Sequence, residues 1–369
     1  MDKDISIIQT CITNRLDATG ADNHGLAGVI GDAPSYYSKS PALWNAAFQA
    51  LNLDVVYLPF DVAEPRLKEL ISAFRDCQSL LGVNVTVPHK LKVIEFLDEL
   101  DAEASRVQAV NAIVRTPNGR LIGSNTDGQG FVKSILEPQP GNDHGFIPSL
   151  TGIDVLLLGA GGSARAVAYA VAERLISGQL VICNRTLDHA QALAQEIKHS
   201  GNNARAINEE ELLDWAPRTG LIINCTIKGQ GGMPRSEIGG VMSMELYSAL
   251  APARPAAVPE SKALEVDSHN AVERLSRSDI EKNNDLSLRV ASSIPKACGF
   301  YDLIYFPEET IFLRHGRLTG HKTQNGKGMI ICQAAIAFYT LICRQELQSR
   351  NIDNPDTYRR ILDIMYRAW

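Results

Sequence analysis

The chain lacks any apolar run approaching the roughly 20 residues that a membrane-spanning helix needs. It has no excess of positive charge. Lysine and arginine number 36 against 42 aspartates and glutamates, a formal net charge of −6, and general nucleic-acid binding wants a basic face. Cysteine is sparse and unpatterned. The seven residues (11, 77, 183, 225, 298, 332 and 343) are odd in number and show no C-x-x-C spacing. That excludes a disulfide framework or a thiolate zinc site and suits reduced thiols in the cytoplasm. The eight histidines form no H-x-x-x-H or H-E-x-x-H pair, so no metal is expected. The start, M-D-K-D-I-S, lacks the apolar stretch of a secretory signal. No internal repeat is visible.

What is present suits a globular α/β protein. With 369 residues, 45% hydrophobic and 21% charged, the chain can build two domains with full cores. Residues 1–25 are polar and read as an appendage. Strands are expected near 26–30, 55–60 and 80–87, with helices from Ser40-Pro41 and over 64–76. Ser40 reads as the N-cap and Pro41 as the first helical residue. P-N-G between 110–114 and 120–124 signals a hairpin. The Pro/Gly-rich stretch 138–150 reads as a linker. Continuous apolar strands then follow at 153–158, 180–183 and 221–225, as in a buried parallel sheet. Residues 234–298 look irregular, and two helices, 329–345 and 355–368, close the chain.

The most informative stretch is G-V-N-V-T-V-P-H-K, residues 82–90. Its valines alternate with Asn84 and Thr86, and Pro88 ends the strand. A lysine then stands at a strand end, where α/β folds place ligand groups. Taken alone, Lys90 is equally well read as a solvated edge residue.

Gly159-Ala160-Gly161-Gly162-Ser163-Ala164 fits G-x-G-x-x-A between a strand and a helix. The first glycine makes the turn and the second admits a pyrophosphate. The small last position lets helix and strand pack. The next strand ends in Asn184-Arg185-Thr186, not in the acid that would bond the ribose 2′-hydroxyl of NAD. Arginine can instead pair with a 2′-phosphate, so NADP is expected.

Ser38-Lys39-Ser40-Pro41 sets two hydroxyls at a helix start, a place that favours a carboxylate. Thr86 and Lys90 follow, then Asn111 in A-V-N, Asp127 in N-T-D-G, Tyr305 in Y-D-L-I-Y and Gln333 in G-M-I-I-C-Q-A. In this order the set resembles the shikimate/quinate dehydrogenase family over roughly 26–135, 151–230 and 299–343.

The resemblance implies an N-terminal α/β substrate domain (26–128 plus 329–369) and a Rossmann NADP-binding domain (129–328), with the C-terminal helices packing back on the first. It implies that Ser38, Ser40 and Tyr305 hold a substrate carboxylate, and that Thr86, Asn111 and Gln333 bond ring hydroxyls. Lys90 and Asp127 become the catalytic pair, and Gly326 joins the cofactor residues. The implied activity is reversible, NADP-dependent reduction of 3-dehydroshikimate to shikimate. Quinate or a related ring acid is the alternative substrate, and a non-catalytic dinucleotide sensor the alternative class. Small-molecule ligands and a homodimer are the corresponding partner expectations, without nucleic acid or membrane.

The chain also departs from the family. The stretch from 227 to 300 is long, and I-K-G-Q-G-G (227–232) is an unusual continuation of N-C-T. Lys228 there reads as a solvated loop residue, with a phosphate contact as the alternative. The basic segment 314–327 reads as a solvated face, with a lean toward the cofactor phosphates or an oligomer contact as alternatives. Gln108 and Ala112 stand where relatives often have Gly and Thr.

Overall fold

The structure is a computed structural model that describes residues 1–16, 25–232, 242–257 and 268–369, with side chains from 273 in the last segment. Two compact units divide it. Unit 1 comprises Met1–Ser134, Gln139–Asp143 and Met329–Trp369, and unit 2 comprises Ile135–Pro138 and His144–Gly328. The expected boundary at 128/129 instead lies inside one continuous helix, Asp127–Leu136. None of the helices among the described residues is long and apolar enough to cross a membrane.

Unit 1 is built on a mixed sheet of β1 (Gly25–Gly31), β2 (Val55–Asp61), β3 (Leu80–Val85), β4 (Glu99–Leu100), β5 (Ala112–Arg115) and β6 (Leu121–Ser124), in the order β2-β1-β3-β5-β6-β4. β1 runs parallel to β2 and β3, whereas β5 pairs antiparallel with β3 and β6. The P-N-G turn closes the β5–β6 hairpin as its sequence predicts.

Both faces of this sheet are covered. Helix Ser40–Ala50 brings Trp44 and Phe48 to one face, where Phe338, Ile361 and Met365 of the C-terminal segments meet them. Trp44 stacks on Tyr57 of β2 at 4.9 Å between ring centroids. The far face carries helix Leu67–Asp76, whose Leu70, Ile71 and Phe74 are fully buried. The N-terminal segment is not an appendage. Its helix Asp2–Gln9 sends Ile8 into this second core, and Cys11 and Ile12 follow. Asn14 then clamps β2, donating from Nδ2 to Pro59 O and accepting from Asp61 N.

Unit 2 is a parallel sheet of β7 (Val155–Leu158), β8 (Leu180–Cys183), β9 (Ala204–Ile207), β10 (Leu221–Asn224), β11 (Gly299–Asp302) and β12 (Lys322–Gln324). Its order, β12-β11-β10-β7-β8-β9, is that of the Rossmann fold, with the chain reversing direction across the sheet between β7 and β10. Strands β7, β8, β10 and β11 are buried along their whole length, as the apolar runs predict for the first three.

Two expectations change here. The stretch 234–298 contains a long regular element, helix Ser268–Ser293, whose Val290 and Ala291 enter the unit 2 core beside Ala249 and Leu250. The helix expected over 329–345 is instead an α-helix, Lys327–Ile336, a π-helical turn, Ala337–Ile342, and a separate helix, Arg344–Ser349.

Candidate active site

One end of the unit 1 sheet gathers four of the expected residues. β3 stops at Val85, and a turn in which His89 N–H bonds Thr86 O carries the chain to Lys90. Asn111 immediately precedes β5, and Asp127 lies three residues past the end of β6. The β5–β6 hairpin therefore returns Asp127 to the strand end that Lys90 leaves.

Lys90 Nζ donates to Asp127 Oδ2 at 2.5 Å. Asn111 Nδ2 donates to Asp127 Oδ1 at 2.8 Å, to Thr126 Oγ1 at 3.0 Å and to Gln333 Oε1 at 3.1 Å. Asn111 Oδ1 in turn accepts Thr126 N–H at 2.8 Å. The Lys90 and Asp127 side chains are only 14% and 4% exposed. A charge so far removed from water requires partners, and both aspartate oxygens have them.

Gln333 reaches the cluster because helix Asp127–Leu136 approaches helix Lys327–Ile336 closely at Gly130. A Cβ on Gly130 would lie 2.6 Å from Gln333 Cβ and 2.7 Å from its backbone nitrogen. Only glycine permits that approach without displacing Gln333.

A second chain of polar groups joins the paired serines to this cluster. Ser38 Oγ accepts Ser40 N–H at 3.2 Å, and the helix begins at Ser40 itself. Ser38, not Ser40, therefore supplies the side-chain acceptor at the helix start. Ser40 is hydrogen-bonded to the Tyr57 phenol, which burial pushes well above its ordinary pKa. Tyr57 donates to Asn84 Oδ1 at 2.7 Å, and Asn84 Nδ2 donates to Asn111 O at 3.2 Å. Thr86 is half-buried beside Gly31, where an added Cβ would meet the Thr86 methyl at 2.6 Å. Tyr57, Asn84 and Gly130 escaped the sequence reading. Asn84 had a signal, since it alternates with Thr86 in the same strand run.

Tyr305 belongs to unit 2, three residues beyond β11, and burial raises its phenol pKa. The segment carrying it is held by Asp302, fully buried at the end of β11. Asp302 accepts from Asn224 Nδ2 at 2.9 Å, Thr310 Oγ1 at 2.6 Å and Ile304 N at 2.9 Å. Desolvation pushes its carboxyl up to about 7, against those hydrogen bonds.

The glycine turn lies at the reversal of strand order. Gly159 follows β7 with φ +110°, and a Cβ on it would press on Cys225 O, just after β10, at 3.1 Å. Gly161 has open space where its Cβ would be, and helix Gly162–Ala172 begins next to it. A backbone open on that side, ahead of a helix N-terminus, fits a pyrophosphate. Ala160 and Ser163 are half-buried along the turn.

Beyond the turn is a cavity of about 400 Å³ lined in part by Asn184, Arg185, Thr186 and His189. Arg185 and Thr186 are exposed, at the start of helix Leu187–His199. This donor set fits an adenosine bearing a phosphate. Gly326 packs on the Tyr305 segment, where its N–H bonds Ile304 O at 3.0 Å and a Cβ would clash with Leu303 O.

One further expectation is corrected. Lys228 is not a solvated loop residue. Its side chain is 8% exposed, paired with Glu209, and donates to Ala251 O at 2.6 Å. In the basic segment 314–327 the cationic side chains of Arg314, Arg317 and Lys322 are exposed, as expected. Arg314 and Arg317 bond Glu309 there, and Lys322 donates to Phe146 O at 2.7 Å.

Fold and site together define a class, a dinucleotide-dependent dehydrogenase with a Rossmann-type unit and a second α/β unit carrying a lysine–aspartate pair. Residues 29–113 match the shikimate dehydrogenase substrate binding domain, and 144–245 match the shikimate/quinate 5-dehydrogenase model. An NADP(+) shikimate dehydrogenase of Carboxydothermus hydrogenoformans is 37% identical over 314 residues, covering 85% of this chain and 90% of the relative. That of Desulforamulus reducens is 34% identical over 315 residues, covering 85% and 88%. Among solved structures, Thermus thermophilus shikimate 5-dehydrogenase in complex with NADP(H) and shikimate superposes with a TM-score of 0.61 at 27% identity, covering 94% of this chain and all of that one. The Listeria monocytogenes enzyme, in complex with shikimate and NAD, gives 0.64 at 25% identity, covering 95% and 99%. The chain belongs to the shikimate dehydrogenase family.

Proposed function

We propose that the chain is an NADP-dependent shikimate dehydrogenase that interconverts 3-dehydroshikimate and shikimate. The observation that carries this reading is the Lys90–Asp127 pair, held in place by Asn111 and Gln333 at the end of β3. When bound, NADPH supplies the hydride that reduces the ring ketone.

The rest of the work falls to side chains. Lys90 Nζ delivers a proton to the ketone oxygen on reduction and takes it back from the hydroxyl on oxidation. Asp127 holds the ammonium group on that line and keeps its charge balanced. Asn111 and Gln333, already aligned with each other, offer fixed polar groups to the ring hydroxyls together with Thr86. Ser38, Ser40 and Tyr305 take the carboxylate. In unit 2, the backbone from Gly159 to Ser163 cradles the pyrophosphate, Asn184, Arg185 and Thr186 bind the 2′-phosphate, and Gly326 borders the cofactor. The cytoplasm is the proposed compartment, in keeping with seven free cysteines.

The decisive experiment is a panel of shikimate, quinate and other hydroxylated ring acids, each assayed with NADP and with NAD. Shikimate with NADP should give the highest kcat/KM. A higher value for quinate removes the substrate assignment, and a higher value with NAD removes the cofactor assignment.

A further inference from the structure

The nucleotide cavity of unit 2 contains a feature that cofactor binding by a glycine turn and an arginine does not require. Three successive acids, Glu209-Glu210-Glu211, follow β9, and Glu209 lines the cavity that Arg185 also lines. An acid facing a phosphate-binding cavity would repel the ligand. Here Glu209 is 13% exposed and ion-paired with the 8% exposed Lys228, which lies beyond the end of β10. The same ammonium donates to Ala251 O at 2.6 Å. Ala251 belongs to the unusual stretch after N-C-T, which also supplies Met242, Met244, Ala249 and Pro255 to the cavity wall. Gly229 N–H bonds Met244 O at 2.8 Å and ties that wall to the same loop.

We propose that Lys228 is a specificity-determining residue for the dinucleotide: it neutralises Glu209, so that the cavity accepts a 2′-phosphorylated adenosine, and it latches the inserted segment as the cavity's far wall. The inference rests on the NADP reading above. Lys228 acts through Glu209 and is a positioning residue, not a catalytic one. Its backbone is fixed on both sides, because its N–H bonds Thr226 Oγ1 at 3.1 Å and its carbonyl accepts Asn224 Nδ2 at 3.1 Å. The ammonium is therefore delivered to one place, between the acid and the insertion.

The test measures binding to the full chain by calorimetry, with adenosine 2′,5′-bisphosphate and adenosine 5′-monophosphate as probes. Wild type should prefer the bisphosphate. Lys228→Met leaves Glu209 unpaired and should weaken the bisphosphate at least about tenfold, with the monophosphate little changed. Lys228→Met/Glu209→Gln should regain most of that preference. Equal weakening of both probes, or no weakening, overturns the proposal, because a merely structural wall would not discriminate between them. If Lys228→Met does not fold, Glu209→Gln decides: tighter bisphosphate binding is expected, and unchanged or weaker binding overturns the proposal. A wild-type chain with no preference for the bisphosphate would instead refute the NADP reading itself.

Discussion

The strand-end cluster of unit 1 and the nucleotide cavity of unit 2 solve different problems. In unit 1 the polar groups already bond one another. Asp127 has both oxygens engaged, Asn111 serves three acceptors, and all but Lys90 are almost fully buried. In unit 2 Arg185 and Thr186 are exposed at the edge of an open cavity, and the buried Lys228–Glu209 pair lines the same cavity. A site that moves a proton needs its groups held in one geometry before the substrate arrives. A site that only binds can leave its charged groups at the surface, where desolvation costs little. The two sites should therefore respond differently to substitution: the unit 1 cluster should lose both stability and activity, and the exposed Arg185 and Thr186 of unit 2 should lose affinity alone.

The largest expected effect is at Lys90. Lys90→Ala should lower kcat by about 10²-fold or more, the usual scale of general acid–base catalysis, with nucleotide affinity unchanged. Near-normal turnover would remove Lys90 from the mechanism. Arg185→Ala should raise the KM for NADP about tenfold, the loss of one charge-assisted pair. Its urea midpoint should stay at the wild-type value, since Arg185 is exposed. A clear drop in that midpoint would break the comparison.

Asn111→Ala should do what Arg185→Ala does not. It leaves buried acceptors without their donor, which should cost about 1–3 kcal/mol in urea melts, together with a fall in kcat/KM. Gly130→Ala sharpens the same point, because its methyl must displace Gln333. A destabilisation of about 1–3 kcal/mol is expected from such overpacking, with a raised KM for the ring acid. Unchanged kinetics would show that Gln333 is not held by this approach.

A further effect, in unit 2, depends on pH. The Asp302 carboxyl is pushed up to about 7 in the folded chain, above its ordinary value. The folded state then holds a proton that the unfolded state releases, so stability falls as pH rises from about 4 through about 7. Asp302→Asn keeps the shape and removes the titration. Its thermal midpoint should gain on wild type between about pH 5 and pH 8. Parallel midpoints across that range would remove Asp302 as a source of pH dependence.

Lys90 and Asp127 were legible as strand-end residues because each sits inside a short motif whose local geometry follows from its own residues, whereas their pairing came only from the family resemblance. The valine alternation and Pro88 place one at a strand end, and N-T-D-G after a hairpin places the other. The N-terminal segment was misread because so few of its residues are apolar. Ile8, Cys11 and Ile12 are nonetheless all buried in one core. Lys228 was misread for a different reason. Its partners lie 19 residues before it and 23 after it, and no spacing rule connects an exposed-looking lysine to either.

The sequence by itself determined the parallel apolar strands of unit 2, the glycine turn, the arginine at the end of β8 and the order of the polar motifs. Each of these depends on neighbours a few residues away, through strand alternation, turn chemistry and helix starts. Only the tertiary structure decided that Gln333 meets Asn111 across 222 positions, that Tyr57 and Asn84 connect the serine pair to that asparagine, and that Lys228 is buried against Glu209. These contacts depend on which faces of distant elements are packed together, and burial then converts an ordinary polar residue into one that must find a partner.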